Sequence, residues 1–209
     1  MEHPEEFEAV YAGAGEDLAA VPWAKFEPLP AFLAWLEGEK PGAGRSALVI
    51  GCGYGDDAEA LAGRDWEVSA FDVSPTAIAR VRRRFPASTV DYRAADLFDL
   101  PAEWRGRFDL VVEIRTLQAI PIAERQRGPA AIAATVAPGG RLWVSILGRD
   151  SHLPGGGRPW PLVPEELAEF EAAGLRWESR REVPLADGEY ATDRVYETIG
   201  LLHRPASSG

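Results

Sequence analysis

The chain has 209 residues, 46% hydrophobic and 26% charged, an ordinary globular balance whose length suggests one domain rather than two. A single cysteine, Cys52, rules out an intrachain disulfide. No apolar run reaches the roughly 18 residues that span a bilayer, and the start Met-Glu-His-Pro-Glu-Glu carries acid where a signal peptide carries base, so the expectation is a cytoplasmic protein with no membrane partner. The net charge of −11, most of it from nine acids set against Lys25 and Lys40 in residues 1–40, argues against nucleic acid as a partner.

Taken in chain order, residues 1–44 are acidic and dotted with aromatics (Tyr11, Trp23, Phe26, Phe32, Trp35) at helical spacing. Pro28 and Pro30 open a helix with Phe32, Leu33 and Leu36 on one apolar face, and Pro41 to Gly44 reads as a linker. Residues 45–150 then alternate. Ala47–Ile50 is a short apolar run of the kind that forms a parallel strand buried on both faces, and Asp56–Leu61 is helical. Trp66–Phe71 is a second strand, and Ser74-Pro75 caps a helix with Ile78, Val81 and Phe85 on one side. Thr89–Tyr92 and Phe108–Ile114 are further strands. Ile122–Val136 is helical with a break at Gly128-Pro129, and Pro138-Gly139-Gly140 turns the chain into a fifth strand, Leu142–Leu147. In residues 151–209, a helix over Pro164–Ala173 ends at Gly174. Leu175–Val183 and Arg194–Leu202 follow as an antiparallel pair joined through Pro184-Leu-Ala-Asp-Gly. The order predicts an α/β fold with a doubly wound, mostly parallel, seven-stranded sheet, helices on both faces and an antiparallel C-terminal strand.

The chemistry concentrates at the ends of these strands. Gly51-Cys52-Gly53-Tyr54-Gly55 follows the first strand, where glycines let the backbone turn tightly and come close to a ligand. The dinucleotide spacing G-x-G-x-x-G fails, because the third position falls on Asp56. Asp56 and Asp57 suit a helix N-terminus, or a cationic ligand. Asp72 lies 21 residues after Gly51, at an exposed strand end where a carboxylate accepts ribose hydroxyls or merely begins the turn before Ser74. Ala95-Asp96-Leu97 follows the third strand, and Asp96 there is placed to accept an adenine amine or to serve as a loop residue. Glu113 ends the fourth strand beside the glycine loop, facing a cationic ligand group or pairing with Arg115 or another arginine. Cys52 is a small buried filler.

Together these residues resemble the class I S-adenosylmethionine-dependent methyltransferases over residues 46–147. Val49–Gly55 is similar to the first motif, Asp72 to the ribose acid and Asp96 to the adenine acid. Phe108-Asp-Leu-Val-Val matches the fourth-strand motif, and Ala137-Pro-Gly-Gly the turn before the fifth strand. Tyr11 with Pro22-Trp23 and Pro28–Pro30 resembles the N-terminal segment of the thiopurine and tellurite-resistance branch.

The resemblance implies S-adenosyl-L-methionine as cofactor, held by Trp23, Gly51, Cys52, Gly53, Gly55, Asp56, Asp72, Val73, Ala95, Asp96, Leu97, Glu113 and Ile114. It implies a small-molecule acceptor, a thiol or other chalcogen ahead of oxygen or nitrogen, under an N-terminal lid. Tyr11, Trp23, Arg115, Arg149, Arg158 and Trp160 are the acceptor-side candidates, with surface or core roles as their alternatives. His152 is the candidate general base or else a solvated loop histidine. A thiolate or selenide needs no base. No metal site and a monomer or homodimer are expected. The competing functions are a silent cofactor-binding module and, because the fold is shared, an NAD-dependent oxidoreductase, against which the glycine spacing argues.

Overall fold

The computed structural model describes residues 3–150, 159–185 and 195–206. Its elements are α1 (His3–Gly13), α2 (Pro30–Gly38), β1 (Ser46–Ile50), α3 (Asp56–Ala62), β2 (Glu67–Asp72), α4 (Pro75–Arg84), β3 (Asp91–Ala94), β4 (Phe108–Ile114), α5 (Ile122–Arg125), α6 (Gly128–Ala133), β5 (Val136–Arg149), α7 (Pro164–Ala172), β6 (Arg176–Pro184) and β7 (Val195–His203). The strands form one seven-stranded sheet in the order β3-β2-β1-β4-β5-β7-β6. Six run parallel. β7 is antiparallel to both of its neighbours, β5 and β6. The chain packs as two compact units, residues 1–100 and 101–209.

In the first unit, β1 and β2 pair in parallel from Ser46–Glu67 to Ile50–Phe71, and β2 pairs with β3 from Ser69–Asp91 to Asp72–Ala94. Ala47 to Ile50 and Val68 to Asp72 are all buried, as an apolar parallel strand requires. Helix α4 starts as its sequence directs: the Ser74 hydroxyl accepts from the Ala77 N–H and Pro75 occupies the first turn. Ile78 and Val81 are buried beneath α4 while Phe85 is half-buried. On α2 the apolar face is narrower than its spacing suggests. Phe32 and Leu36 are buried, but Leu33 is 36% exposed. The third strand begins at Asp91 rather than Thr89, since its ladder with β2 opens at Ser69–Asp91.

In the second unit, β4 and β5 pair in parallel and β5 continues into the ladder with β7. The fifth strand starts well before Leu142. The Pro138-Gly139-Gly140 segment is absorbed as an irregularity, with the register shifting between Phe108–Val136 and Leu110–Arg141. Gly139 has φ +79, its N–H donates to the Arg204 carbonyl at 2.9 Å, and the Arg204 N–H returns to Gly140 O at 2.9 Å. Those two bonds keep the ladder running through residues that read as a turn. The helical stretch after β4 is two short helices, α5 and α6, the second starting at Gly128 rather than breaking there. A Cβ at Gly128 would lie 2.3 Å from Leu117 Cδ2, so the Leu117 side chain would have to shift to admit one. The loop expected to join β6 to β7 lies outside the described residues.

Candidate functional site

The first unit gathers the glycine loop, the ends of β2 and β3 and the N-terminal segment. Gly55 caps α3 with φ +90, and a Cβ there would lie 2.4 Å from Val81 Cγ2 and 2.6 Å from the Tyr92 hydroxyl, so only glycine fits. Gly53, at φ +51, would bring a Cβ within 3.2 Å of the Tyr11 hydroxyl. The Gly53 N–H donates to Asp72 Oδ2 at 3.0 Å and the Ser74 N–H donates to Asp72 Oδ1 at 2.9 Å.

Asp72 is therefore not the exposed strand-end carboxylate of the sequence reading. It is 7% exposed, and burial pushes its carboxyl up against the opposing pull of the Ser74 and Gly53 N–H groups. It fills the turn-forming role and at the same time anchors the glycine loop. A carboxylate offers about four acceptor positions, so capacity remains for a ribose hydroxyl. The Ala95 N–H donates to Asp72 O at 3.0 Å, joining the ends of β2 and β3. Asp96, exposed, closes an Asx turn by accepting from Phe98 N–H at 2.9 Å. Leu97 is buried, and Val73 and Ala95 are half-buried. Cys52 is half-buried rather than a buried filler.

The two acids after the loop separate. Arg84 grips Asp56 through both guanidinium nitrogens, at 2.7 and 2.6 Å, which is a helix-to-helix clasp. Asp57 accepts from the Leu29 N–H at 2.8 Å, and burial pushes its carboxyl up to about 6. The N-terminal segment is fastened at further points that sequence reasoning missed. Glu8 accepts from the Ser74 hydroxyl at 2.6 Å, the Thr76 N–H at 3.1 Å and the Thr76 hydroxyl. Arg80, 6% exposed, donates to the Tyr54 hydroxyl at 3.0 Å and to Gly15 O. No local signal marks Glu8, because its partners lie 66 and 68 residues away. Tyr11 is buried against Tyr54, and its hydroxyl accepts from the Trp23 indole at 2.9 Å. Trp23 itself is 43% exposed.

In the second unit the carboxyl ends of β4 and β5 carry the remaining candidates. Glu113 is fully buried. Its Oε1 accepts from the Thr116 and Leu117 N–H groups at 2.7 and 2.9 Å, capping the 3-10 turn Leu117–Ala119. Its Oε2 is buried with no hydrogen-bond partner. Burial pushes the carboxyl up to about 7, the Leu117 and Thr116 N–H groups and Arg115 opposing. Among the described residues, the ion pair of Arg115 is with Glu197 and not with Glu113. Arg115, at φ +59, donates instead to Glu197 at 3.1 Å, and Ser145 Oγ donates to the same Glu197 oxygen. Ile114 is half-buried.

Trp160 is set in place by its backbone. Its N–H donates to Gln118 O at 2.7 Å, and its carbonyl accepts from the buried Arg125. Arg125 in turn pairs with Glu166, with both N···O distances 2.8 Å. The Gln118 side chain accepts from Leu147 N–H at 2.8 Å. The Arg149 N–H donates to Leu162 O at 2.9 Å. His152 and Arg158 lie outside the described residues.

Residues 47–140 match the family described as a methyltransferase domain. The ubiquinone biosynthesis O-methyltransferase of Thiobacillus denitrificans is 35% identical over 136 residues, 62% of this chain and 58% of that protein. Its counterpart in Azotobacter vinelandii is 34% identical over 137 residues, 61% and 56%. The chain thus spans somewhat under two thirds of the length of these curated relatives. Among solved structures, one reported for the conversion of a disulfide bond into a thioacetal group during echinomycin biosynthesis is 26% identical, with TM-score 0.74, over 98% of this chain and 94% of that one. The Burkholderia thailandensis 1,6-didemethyltoxoflavin-N1-methyltransferase, with bound S-adenosylhomocysteine, shares the fold at 21% identity and TM-score 0.68, over 97% and 87%. Residues 47–140, which carry the glycine loop and strands β1 to β4, are thus similar to a methyltransferase domain, and the sheet order is the fold of the solved methyltransferase structure above.

Proposed function

We propose that the chain transfers the methyl group of S-adenosylmethionine to a small-molecule nucleophile, with sulfur as the favoured acceptor atom. The observation that carries the cofactor side is Asp72. A buried strand-end carboxylate fixes the Gly53 N–H of a glycine loop and keeps acceptor capacity, which suits a ribose. No phosphate is asked of a loop whose following acid, Asp56, is held by Arg84. Gly51, Gly53, Asp72 and Asp96 are the residues proposed to hold the cofactor, with Val73, Ala95 and Leu97 lining it. Trp160 is proposed as an acceptor wall and Arg115 as an anion contact.

Bound there, S-adenosylmethionine supplies an activated methyl group. In the transfer, a lone pair of the acceptor forms the new bond to the methyl carbon while the old carbon–sulfur bond breaks, its electron pair neutralising the sulfonium. The protein's part is to orient the reactants and exclude water, which is worth up to roughly 7–11 kcal/mol in favourable intramolecular models. Sulfur is supported by the solved structure similar over nearly the whole chain, which concerns chemistry at a disulfide. Oxygen is the second reading, favoured by the O-methyltransferases similar over 136 and 137 residues.

Calorimetric titration with S-adenosylmethionine and NADH tests the cofactor, and binding of NADH alone would overturn the reading. A methyl-transfer screen of thiols, thiopurines, selenite, tellurite, phenols and amines tests the acceptor. Turnover of thiols that survives His152→Ala is the expected result. Activity confined to phenols or amines and lost with His152 would reverse the choice of sulfur.

A further inference from the structure

The N-terminal segment lies against Gly53 and Asp72, tied at one end and bent at the other. At the tied end, Glu8 of α1 reaches the first turn of α4 and accepts from the Ser74 and Thr76 hydroxyls and the Thr76 N–H. Desolvation opposes these bonds, yet they hold the Glu8 carboxyl below its usual range. Arg80 adds a tie to Gly15 O. Between the ends, the Tyr11 hydroxyl stands 3.2 Å from where a Gly53 Cβ would be. Asp72 is 7% exposed, and after burial itself the Glu8 charge adds to the rise of its carboxyl. At the bent end, Phe26 has φ +59, a left-handed conformation uncommon for a bulky residue. From there on the chain is fastened. Arg84 donates to the Phe26 carbonyl at 3.4 Å, the Phe26 ring stacks on Tyr54, and the Leu29 N–H donates to Asp57. Before Phe26 there is little apolar hold, because among residues 5–24 only Tyr11 and Val21 are buried. A stretch with so few buried contacts opens without global unfolding.

We infer that residues 5–24 are a strap that gates cofactor entry and release, hinged at Phe26 and latched by Glu8 on the first turn of α4. The ligand named in this inference rests on the methyltransferase reading. The lid that the family resemblance implies covers the acceptor, whereas this strap lies against the carboxylate proposed to hold the ribose. A ribose cannot reach the acceptor capacity left on Asp72 while that carboxylate is so covered. Opening breaks the Glu8 bonds and lifts Tyr11 from Gly53, and Trp23 moves with Tyr11 because its indole N–H is bonded to the Tyr11 hydroxyl. Closing over a bound cofactor restores the Glu8 bonds and excludes water from the ribose.

Stopped-flow binding of S-adenosylhomocysteine to the whole chain, followed by tryptophan fluorescence, separates a gate from a brace. Glu8→Gln keeps the size of the side chain and removes the charge that strengthens its bonds. Association and release are both expected to quicken by about tenfold or more, with Kd changing less than either rate. Thr76→Val, which removes one donor of the latch, should quicken both by a smaller factor. Hydrogen exchange read by mass spectrometry needs no ligand. In the wild type, residues 5–24 should exchange ahead of β1 and β2, and in Glu8→Gln about tenfold faster again, with β1 and β2 unchanged. Faster release with unchanged association would make Glu8 a brace and overturn the inference while leaving the methyltransferase reading intact. Exchange of residues 5–24 no faster than that of β1 in the wild type would also overturn it. If neither S-adenosylmethionine nor S-adenosylhomocysteine binds the wild type or the variant, the methyltransferase reading falls and the gating of its cofactor falls with it.

Discussion

Asp72 is a carboxylate with an observed structural role and a proposed chemical one. Its two oxygens take the Gly53 and Ser74 N–H groups, so a substitution aimed at the proposed ribose contact also loosens the glycine loop. Asp72→Asn places an amide N–H against one of those donors. The expected result is a loss of about 1.5–3 kcal/mol in S-adenosylmethionine binding, the range for hydrogen bonds to charged groups. A loss of about 1–3 kcal/mol in stability should accompany it from the donor left unsatisfied. Calorimetry and urea unfolding measure the two separately. Unchanged affinity with lowered stability would leave Asp72 only its turn-forming role. The chemical type and position of Asp72 were legible from its place at a strand end. Its burial was not, because the Gly53 N–H comes from the neighbouring strand's loop. Asp56 teaches the converse: its position after the glycines suited a ligand, and the arginine that holds it lies 28 residues away in sequence.

At the scale of elements, the second unit uses a buried ion pair as a pin. Arg125 at the end of α5 is 1% exposed, and it joins Glu166 of α7 to the carbonyl of Trp160. Glu166 also accepts from the Val163 N–H at 2.9 Å, closing the first turn of α7. Such a pair contributes little net stability compared with apolar residues of similar size, yet removing one partner strands a buried charge. Glu166→Gln should therefore cost about 3–5 kcal/mol in urea unfolding, while Arg125→Met combined with Glu166→Leu should return close to the wild type. A double variant as unstable as the single would mean that the carbonyl contact to Trp160, rather than the charge, dominates. Element types were well read from periodicity and caps, β4 over Phe108–Ile114 to the residue. The miss at β5 has a local cause. Pro-Gly-Gly carries turn chemistry, and only the pairing of Gly139 and Gly140 with Arg204 keeps it within a strand.

For the molecule as a whole, charge is managed inwardly. Three arginines of α4 are spent on structure: Arg80 on Tyr54 and Gly15, Arg82 on the Tyr92 carbonyl, Arg84 on Asp56. Burial raises the carboxyls of Asp57 to about 6 and Glu113 to about 7, and raises Asp72 as well. At Glu8, desolvation is outweighed by the Ser74 and Thr76 bonds, so its carboxyl is lowered and works the other way. Three acids with raised folded values mean that the folded state holds protons the unfolded state has released. Their contribution is complete below about pH 4 and is lost as pH rises through about 6 to 7. The cofactor-free protein should accordingly melt at a higher temperature near pH 5.5 than near pH 8, measured by calorimetry at constant ionic strength. A midpoint that rises over that interval would show these carboxylates to be compensated in the fold.

The sequence by itself determined the order of strands and helices, the glycine loop and the acids at strand ends, because those rest on local periodicity, caps and backbone conformation. It also pointed to the methyltransferase class, through five short motifs in the right succession. What only the tertiary structure decided is how each acid is used: Asp56 in a clasp with Arg84, Asp72 buried under two N–H groups, Glu113 with one oxygen capped and one unpaired. Those outcomes depend on partners dozens of residues away and on exclusion of water, and neither burial nor a long-range donor leaves a mark in the neighbouring residues.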